Sequence, residues 1–255
     1  MAETPNENEL REAFCEIGRR VWLRQYVAAN DGNFSARLAD GNILCTPANV
    51  SKGFMRPEQM GIVTPEGAKV SGPLPTTSEI LMHLEIYRLR PDIKAVVHAH
   101  PPHATAFAVA GDPLPRCVLA EIEILVGEIP IVPYATTGTP DLSAALRPYV
   151  PGHDAYLLAN HGAVTTGRDV FEAYYRMESV EQYCRVLAIG KEIGPWTQIE
   201  TGKVRELLKV REKLGLPEKR HQLSDQELCP PTTPNRGNVI DDIVRRVMER
   251  LRKTD

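Results

Sequence analysis

The 255-residue chain contains no apolar stretch long enough for a membrane-spanning helix. It also lacks an excess of either charge. Thirty basic residues face 33 acidic ones, so no basic face offers itself to nucleic acid or an anionic membrane. The five cysteines (Cys15, Cys45, Cys117, Cys184 and Cys229) are scattered, odd in number and without a C-x-x-C pair. That pattern predicts free, buried thiols in a reducing cytosol rather than a disulfide framework. The opening Met1–Asn8 is polar and acidic with no apolar signal region, which predicts a flexible lead on a cytoplasmic protein. What remains is a chain long enough for one large domain with its own core.

The chemistry concentrates in Ala95-Val-Val-His98-Ala-His100-Pro-Pro-His103. Three apolar residues run as a short strand into two histidines spaced i, i+2, and the prolines stop it. On a strand that spacing puts both imidazoles on one face, where they suit a single metal ion. Two ordinary core or surface histidines would read the same way. A second apolar run, Ala155-Tyr-Leu-Leu-Ala, ends in Asn160-His161-Gly162, and Thr76-Thr-Ser-Glu79 opens the helix leading into the His98 strand. Three histidines match the ligand count of a catalytic metal site with an open position, and Glu79 supplies an acid beside them.

Glu79, His98-Ala-His100 and Asn160-His161-Gly162 resemble the class II aldolase/adducin family, which includes the L-fuculose-1-phosphate and L-rhamnulose-1-phosphate aldolases. Asp31-Gly-Asn-Phe-Ser35, Thr46-Pro47, Pro133-Tyr-Ala-Thr-Thr-Gly138-Thr and the helix after Gly162 extend the match over about residues 8 to 195 in the family's order. The resemblance implies a zinc ion on His98, His100 and His161, with Co2+, Mn2+ or Fe2+ also acceptable to three imidazoles. It implies Glu79 as the acid–base group. Gly32, Asn33, Thr77 and Ser78 become candidates for holding a substrate phosphate, and the assembly becomes a homotetramer. The implied reaction is cleavage of a 6-deoxyketose 1-phosphate to dihydroxyacetone phosphate and L-lactaldehyde through a metal-stabilised enediolate. Related 4-epimerase, decarboxylase or dehydratase chemistry stays open, as does a non-catalytic adducin-like binding module.

Two departures bear on that choice. Ala48-Asn49 stands where the aldolases carry a Thr/Ser-Gly pair, so Asn49, Ser51 and Lys52 are candidates for replacing the lost phosphate contacts; a solvated loop is the other reading. Leu119 stands where fuculose aldolases carry a tyrosine that handles the proton on the aldehyde side. Glu121 and Glu123 lie nearby as candidate substitutes.

Helices are predicted at Glu9–Ala28, Glu79–Leu89, from His103, and at Pro140–Tyr149, Asp169–Lys191 and Val204–Leu214. Strands are predicted at Phe34–Leu38, Asn42–Thr46, Met60–Val63, Ala68–Val70, Ala95–Val97, Ile129–Val132 and Ala155–Leu158. Leu81, Leu84, Ile86 and Leu89 read as core. His83 reads as structural, His103 as a helix cap or supporting group, and Glu172, Arg176 and Glu181 as solvated or interface charges. The fold class is α/β: a single domain with a mixed, largely antiparallel sheet covered by helices, spanning 1–196. A helical extension (197–228) and a proline-rich linker (229–237) follow. The last segment, 238–255, is an amphipathic helix with Asn238 as its cap. That helix reads either as docking on its own assembly or as an encapsulation tag for bacterial microcompartment shell proteins.

Overall fold

The computed structural model describes residues 6–194 and 196–231. The expected C-terminal helix at 238–255 and most of the linker before it lie outside the described residues. Helix α1 (Glu7–Leu23) starts two residues earlier than its apolar stripe suggests, because Asn6 and Glu9 form a reciprocal capping box. It stops well short of Ala28, where Gln25 takes a positive φ of 61°. Strands β1 (Asn33–Arg37), β2 (Ile43–Cys45), β3 (Gly61–Val63) and β4 (Lys69–Ser71) follow, then α2 (Ile80–Leu89), β5 (Ala95–Ala99) and α3 (Pro102–Ala110). After α4 (Ala120–Leu125) come β6 (Ile131–Val132), α5 (Pro140–Leu146), β7 (Ala155–Leu158) and β8 (Gly162–Gly167). The long α6 (Val170–Ile193), α7 (Thr201–Lys213) and short α8 (Asp225–Leu228) complete the described chain.

The strands form one eight-stranded sheet in the order β4-β3-β2-β1-β5-β8-β7-β6. Every pairing is antiparallel except β6 with β7, so the expected mixed, largely antiparallel sheet is the one observed. The alternation of strand residues divides the core in two. Ala95, Val97 and Ala99 of β5 face the cluster built with α1, α3 and α6. Val96 faces the cluster built with α2 and α5. No described helix is long and apolar enough to cross a membrane.

Four expectations need correction. Cys117 and Cys229 form a disulfide across 112 residues, which leaves Cys15, Cys45 and Cys184 as free thiols. The reason is tertiary: α7 and α8 fold back so that Val204, Leu208 and Leu228 pack around Cys117. Arg176 and Glu181 are not solvated but buried within α6. Arg176 donates to the carbonyl of Thr166 and pairs with Asp154, and Glu181 accepts the N–H groups of His103 and Ala104 at the start of α3. A carboxylate there satisfies helix N–H groups that would otherwise be orphaned. Leu81 is exposed rather than core. Glu7 and Asn8 belong to α1 rather than to a loose lead.

Gly18 marks the closest approach of α1 to the loop before β3. A Cβ on it would lie 2.1 Å from the Lys52 carbonyl oxygen, and that oxygen is backbone. Gly18→Ala is therefore expected to cost about 1–3 kcal/mol in denaturant unfolding. Gly202→Ala in α7, with open space around it, is expected to cost nothing. Equal stability of Gly18→Ala and wild type would show that this contact does not hold the helix in place.

Candidate active site

Three elements meet at the C-terminal end of β5. Val96 and His98 share the face turned toward α2, and Asn33 of β1 pairs directly opposite His98. Cross-strand partners share a face, so the Asn33 and His98 side chains stand side by side. Both reach Glu79, which occupies the N-cap position of α2. The third approach is the tight turn between β7 and β8. Asn160 takes φ 56°, a left-handed conformation that asparagine tolerates, and this lifts His161 toward the other imidazoles. Gly162 is required by space, because a Cβ there would lie 2.5 Å from His100 Cδ2 and 2.7 Å from the Ala99 oxygen.

The three imidazoles form a nearly equilateral triangle, with ring centroids 4.7, 4.9 and 4.9 Å apart. One ligand atom from each lies within 4.8 Å of the other two. His98 Nδ1 donates to the Ala163 carbonyl at 2.9 Å, which turns Nε2 inward. His100 Nδ1 faces Asp31 Oδ2 at 3.4 Å, and its Nε2 lies 3.1 Å from His98 Nε2. Glu79 closes the group, with Oε2 at 3.1 Å from His98 Nε2 and Oε1 at 3.4 Å from His161 Nε2. Glu79 Oε1 and His161 Nδ1 are buried without a hydrogen-bond partner among the described residues. Converging imidazole nitrogens beside an orphaned carboxylate oxygen fit one divalent metal ion.

The charges follow from this crowding. Burial alone would raise the Glu79 carboxyl. The charge and hydrogen bond of His98, then His161 and Asn33, instead hold it well below the usual carboxylate range. Burial first, and then His98, push His100 and His161 down to about 4. Those two rings are neutral at pH 7, the form that ligates metals.

A chain of buried hydrogen bonds supports Glu79 from behind. Asn33 Nδ2 donates to Glu79 Oε2 at 2.8 Å, so its Oδ1 accepts from His83 Nε2 at 2.6 Å. His83 Nδ1 must then accept from Ser35 Oγ at 2.6 Å, and Ser35 Oγ from the Tyr87 hydroxyl at 2.8 Å. Every donor points toward the carboxylate, so the chain fixes one tautomer of His83. His83 is structural as expected, yet it lies in line with Glu79. Asp31, Ser35 and Tyr87 went unnoticed as supporting residues. Their signal was the period-2 spacing of Asn33 and Ser35 opposite His83 and Tyr87, themselves one turn apart on α2.

The remaining candidates divide. Thr77 is buried, and its hydroxyl accepts from the Glu79 N–H, while Ser78 is exposed beside it. Gly32 has φ 72°, and a Cβ on it would lie 2.9 Å from the His98 oxygen, so this close approach alone demands glycine. Asn49 is left-handed and lies 3.5 Å from Asn30 Nδ2. Lys52 is neither a surface cation nor on a solvated loop. It is buried, and burial pulls its ammonium down to about 8 against the field of Asp31. Glu123 does not approach the histidines: one oxygen accepts the Cys117 N–H and the other pairs with Arg220. Glu121 is exposed on α4, and Leu119 packs against the apolar core. His103 is the second residue of α3, and its Nδ1 lies 2.7 Å from Glu181, the carboxylate that caps this helix, so His103 is a supporting group rather than the cap.

Comparison with known proteins identifies the family. Residues 12–188 match the family model for the class II aldolase and adducin N-terminal domain. The chain is 32% identical over 205 residues to the 3-oxo-tetronate 4-phosphate decarboxylase of Escherichia coli K12, covering 79% of this chain and 96% of that protein. It is 36% identical over 174 residues to the L-fuculose phosphate aldolase of Methanococcus maripaludis, covering 68% of this chain and 93% of that one. Among solved structures, YgbL of Klebsiella pneumoniae superposes with a TM-score of 0.74 at 32% identity, covering 80% of this chain and all of the other.

Two outcomes are expected. Equilibrium dialysis should give one divalent ion per wild-type chain and at least about tenfold weaker retention in His161→Ala; unchanged retention would remove His161 from the metal site. The second concerns His83, fully buried and pushed down to about 3 by burial first and then by His98. Its folded pKa lies below its unfolded value, so its contribution is intact above about pH 6.5 and is lost as pH falls toward 3. Between pH 7 and 5 this amounts to about 2 kcal/mol. His83→Asn should flatten the dependence of unfolding free energy on pH in that window; an unchanged slope would contradict it.

Proposed function

This chain belongs to the class II aldolase and adducin N-terminal domain family, and from that premise we propose that it is a metal-dependent carbon–carbon lyase acting on a phosphorylated keto sugar. The reading we favour is decarboxylation of a 3-oxo-tetronate 4-phosphate, with retro-aldol cleavage of L-fuculose or L-rhamnulose 1-phosphate as the second reading. Both leave the same fragment. Loss of carbon dioxide from the first, or of L-lactaldehyde from the second, yields dihydroxyacetone phosphate. The observation that separates them is Leu119, packed among apolar residues where fuculose aldolases carry a tyrosine. A retro-aldol step must take a proton from the hydroxyl that becomes the aldehyde, and neither Glu121 nor Glu123 supports that role. Carbon dioxide leaves without any such proton transfer.

His98, His100 and His161 would hold the metal, and zinc is the ion we assign. When bound, it supplies a Lewis acid that stabilises negative charge on the substrate's adjacent oxygens. The residues do the rest. As the bond to the carboxylate carbon breaks, its electron pair stays on the substrate as an enediolate. Glu79, charged at rest, relays one proton from solvent to the carbon that has lost carbon dioxide and is left as the carboxylate again. Asn33 holds the Glu79 carboxylate in place, and His83, Ser35 and Tyr87 hold Asn33. Gly32, Asn33, Thr77 and Ser78 form the phosphate end; the Asn33 side chain is already bonded to Glu79 and His83, so its share there falls to the backbone. The working form is a cytoplasmic homotetramer, and residues 238–255 carry the proposed docking to a microcompartment shell.

The test assays the metal-loaded chain on both substrate types, following dihydroxyacetone phosphate. Release from 3-oxo-tetronate 4-phosphate is expected to exceed release from L-fuculose and L-rhamnulose 1-phosphate. Glu79→Gln should keep its metal and lose roughly 10²-fold or more in kcat. Faster release from either deoxyketose phosphate would invert the two readings, and release from none of the three would reject both.

A further inference from the structure

Lys52 is almost wholly buried, with 1% of its surface exposed. Its Nζ donates to the carbonyls of Asn30 at 2.9 Å and Val50 at 2.8 Å. An ammonium has three donors, so one N–H is left without a partner among the described residues. No carboxylate there pairs with it; Asp31 acts on it through its field. A buried cation without a counter-ion is costly and persists where something compensates it.

Its position says what that is. The loop 46–52 is stitched to the segment before α2 by Ala48 N–H on the Pro75 oxygen and Thr77 N–H on the Thr46 oxygen. Lys52 stitches the other side of the same loop to the segment 28–33. Three segments carrying Gly32, Asn49, Thr77 and Ser78 are thus tied edge to edge. Ala29, Gly32 and Asn49, on the two segments Lys52 joins, all have positive φ (47°, 72° and 58°), conformations that need such support.

We propose that Lys52 is the positioning residue of the substrate's anionic end: its buried charge favours a phosphate between these three segments, and its two hydrogen bonds set their spacing. It acts through the loops and its field, not by touching the ligand. This rests on the reading that the substrate is phosphorylated.

The test titrates inorganic phosphate into the metal-loaded full chain by calorimetry, for wild type, Lys52→Gln and Lys52→Met. Metal content and thermal midpoint are measured on each. Lys52→Gln keeps a donor for the carbonyls without the charge, and carries the test if Lys52→Met does not fold. The expected result is that wild type binds phosphate, Lys52→Gln keeps its metal and midpoint, and its phosphate Kd rises by about tenfold or more. Equal affinity in Lys52→Gln, or weakening only in step with loss of metal, overturns the proposal. No phosphate binding by wild type overturns the phosphorylated-substrate reading itself.

Discussion

A carboxylate held against two imidazoles of a cluster of three is the constraint on which this molecule depends. Glu79 is buried, its Oε2 faces His98, and its Oε1 faces His161. Left unpaired, such an acid would shed its charge or unfold the site. The fold keeps it charged by bringing three separate elements to one point: the cap of α2, the end of β5 and the turn between β7 and β8. The antiparallel register of β1 against β5 sets Asn33 beside His98, and a one-residue slip of β1 would turn Asn33 away.

The chemistry suits that arrangement. Neutral His100 and His161 offer lone pairs, His98 is oriented by a backbone carbonyl, and Glu79 has one oxygen tied to Asn33 and one without a hydrogen bond. A tied oxygen fixes the position of the acid while a free one can exchange a proton. Two reactions that differ only in the departing group can share this core. On the proposed reading, what distinguishes them lies outside it, at Leu119.

Much of this was legible in the sequence, and the reasons for the rest are physical. His98 and His100 announce themselves because period-2 spacing at a strand end is a local property. Glu79 and His161 are legible only through their order with the histidine pair. Strand β8 was missed because Gly162–Gly167 is buried throughout and shows no alternation; its signal was Val164-Thr-Thr166 between two glycines. The Cys117–Cys229 bond escaped because no spacing rule reaches across 112 residues. Arg176, Glu181 and Lys52 looked solvated because charged residues usually are. Their burial is set by backbone groups supplied from distant segments, such as the Thr166 carbonyl, the start of α3 and the Asn30 carbonyl.

The most direct test of the central claim uses neither complete substrate. Dihydroxyacetone phosphate, incubated in deuterated water with the metal-loaded protein, is the fragment common to both readings. If Glu79 moves a proton at its hydroxymethyl carbon, NMR will show one deuterium entering that carbon stereospecifically, and Glu79→Gln will abolish the exchange while retaining metal. Absence of exchange in wild type, or equal exchange in the variant, would contradict the account.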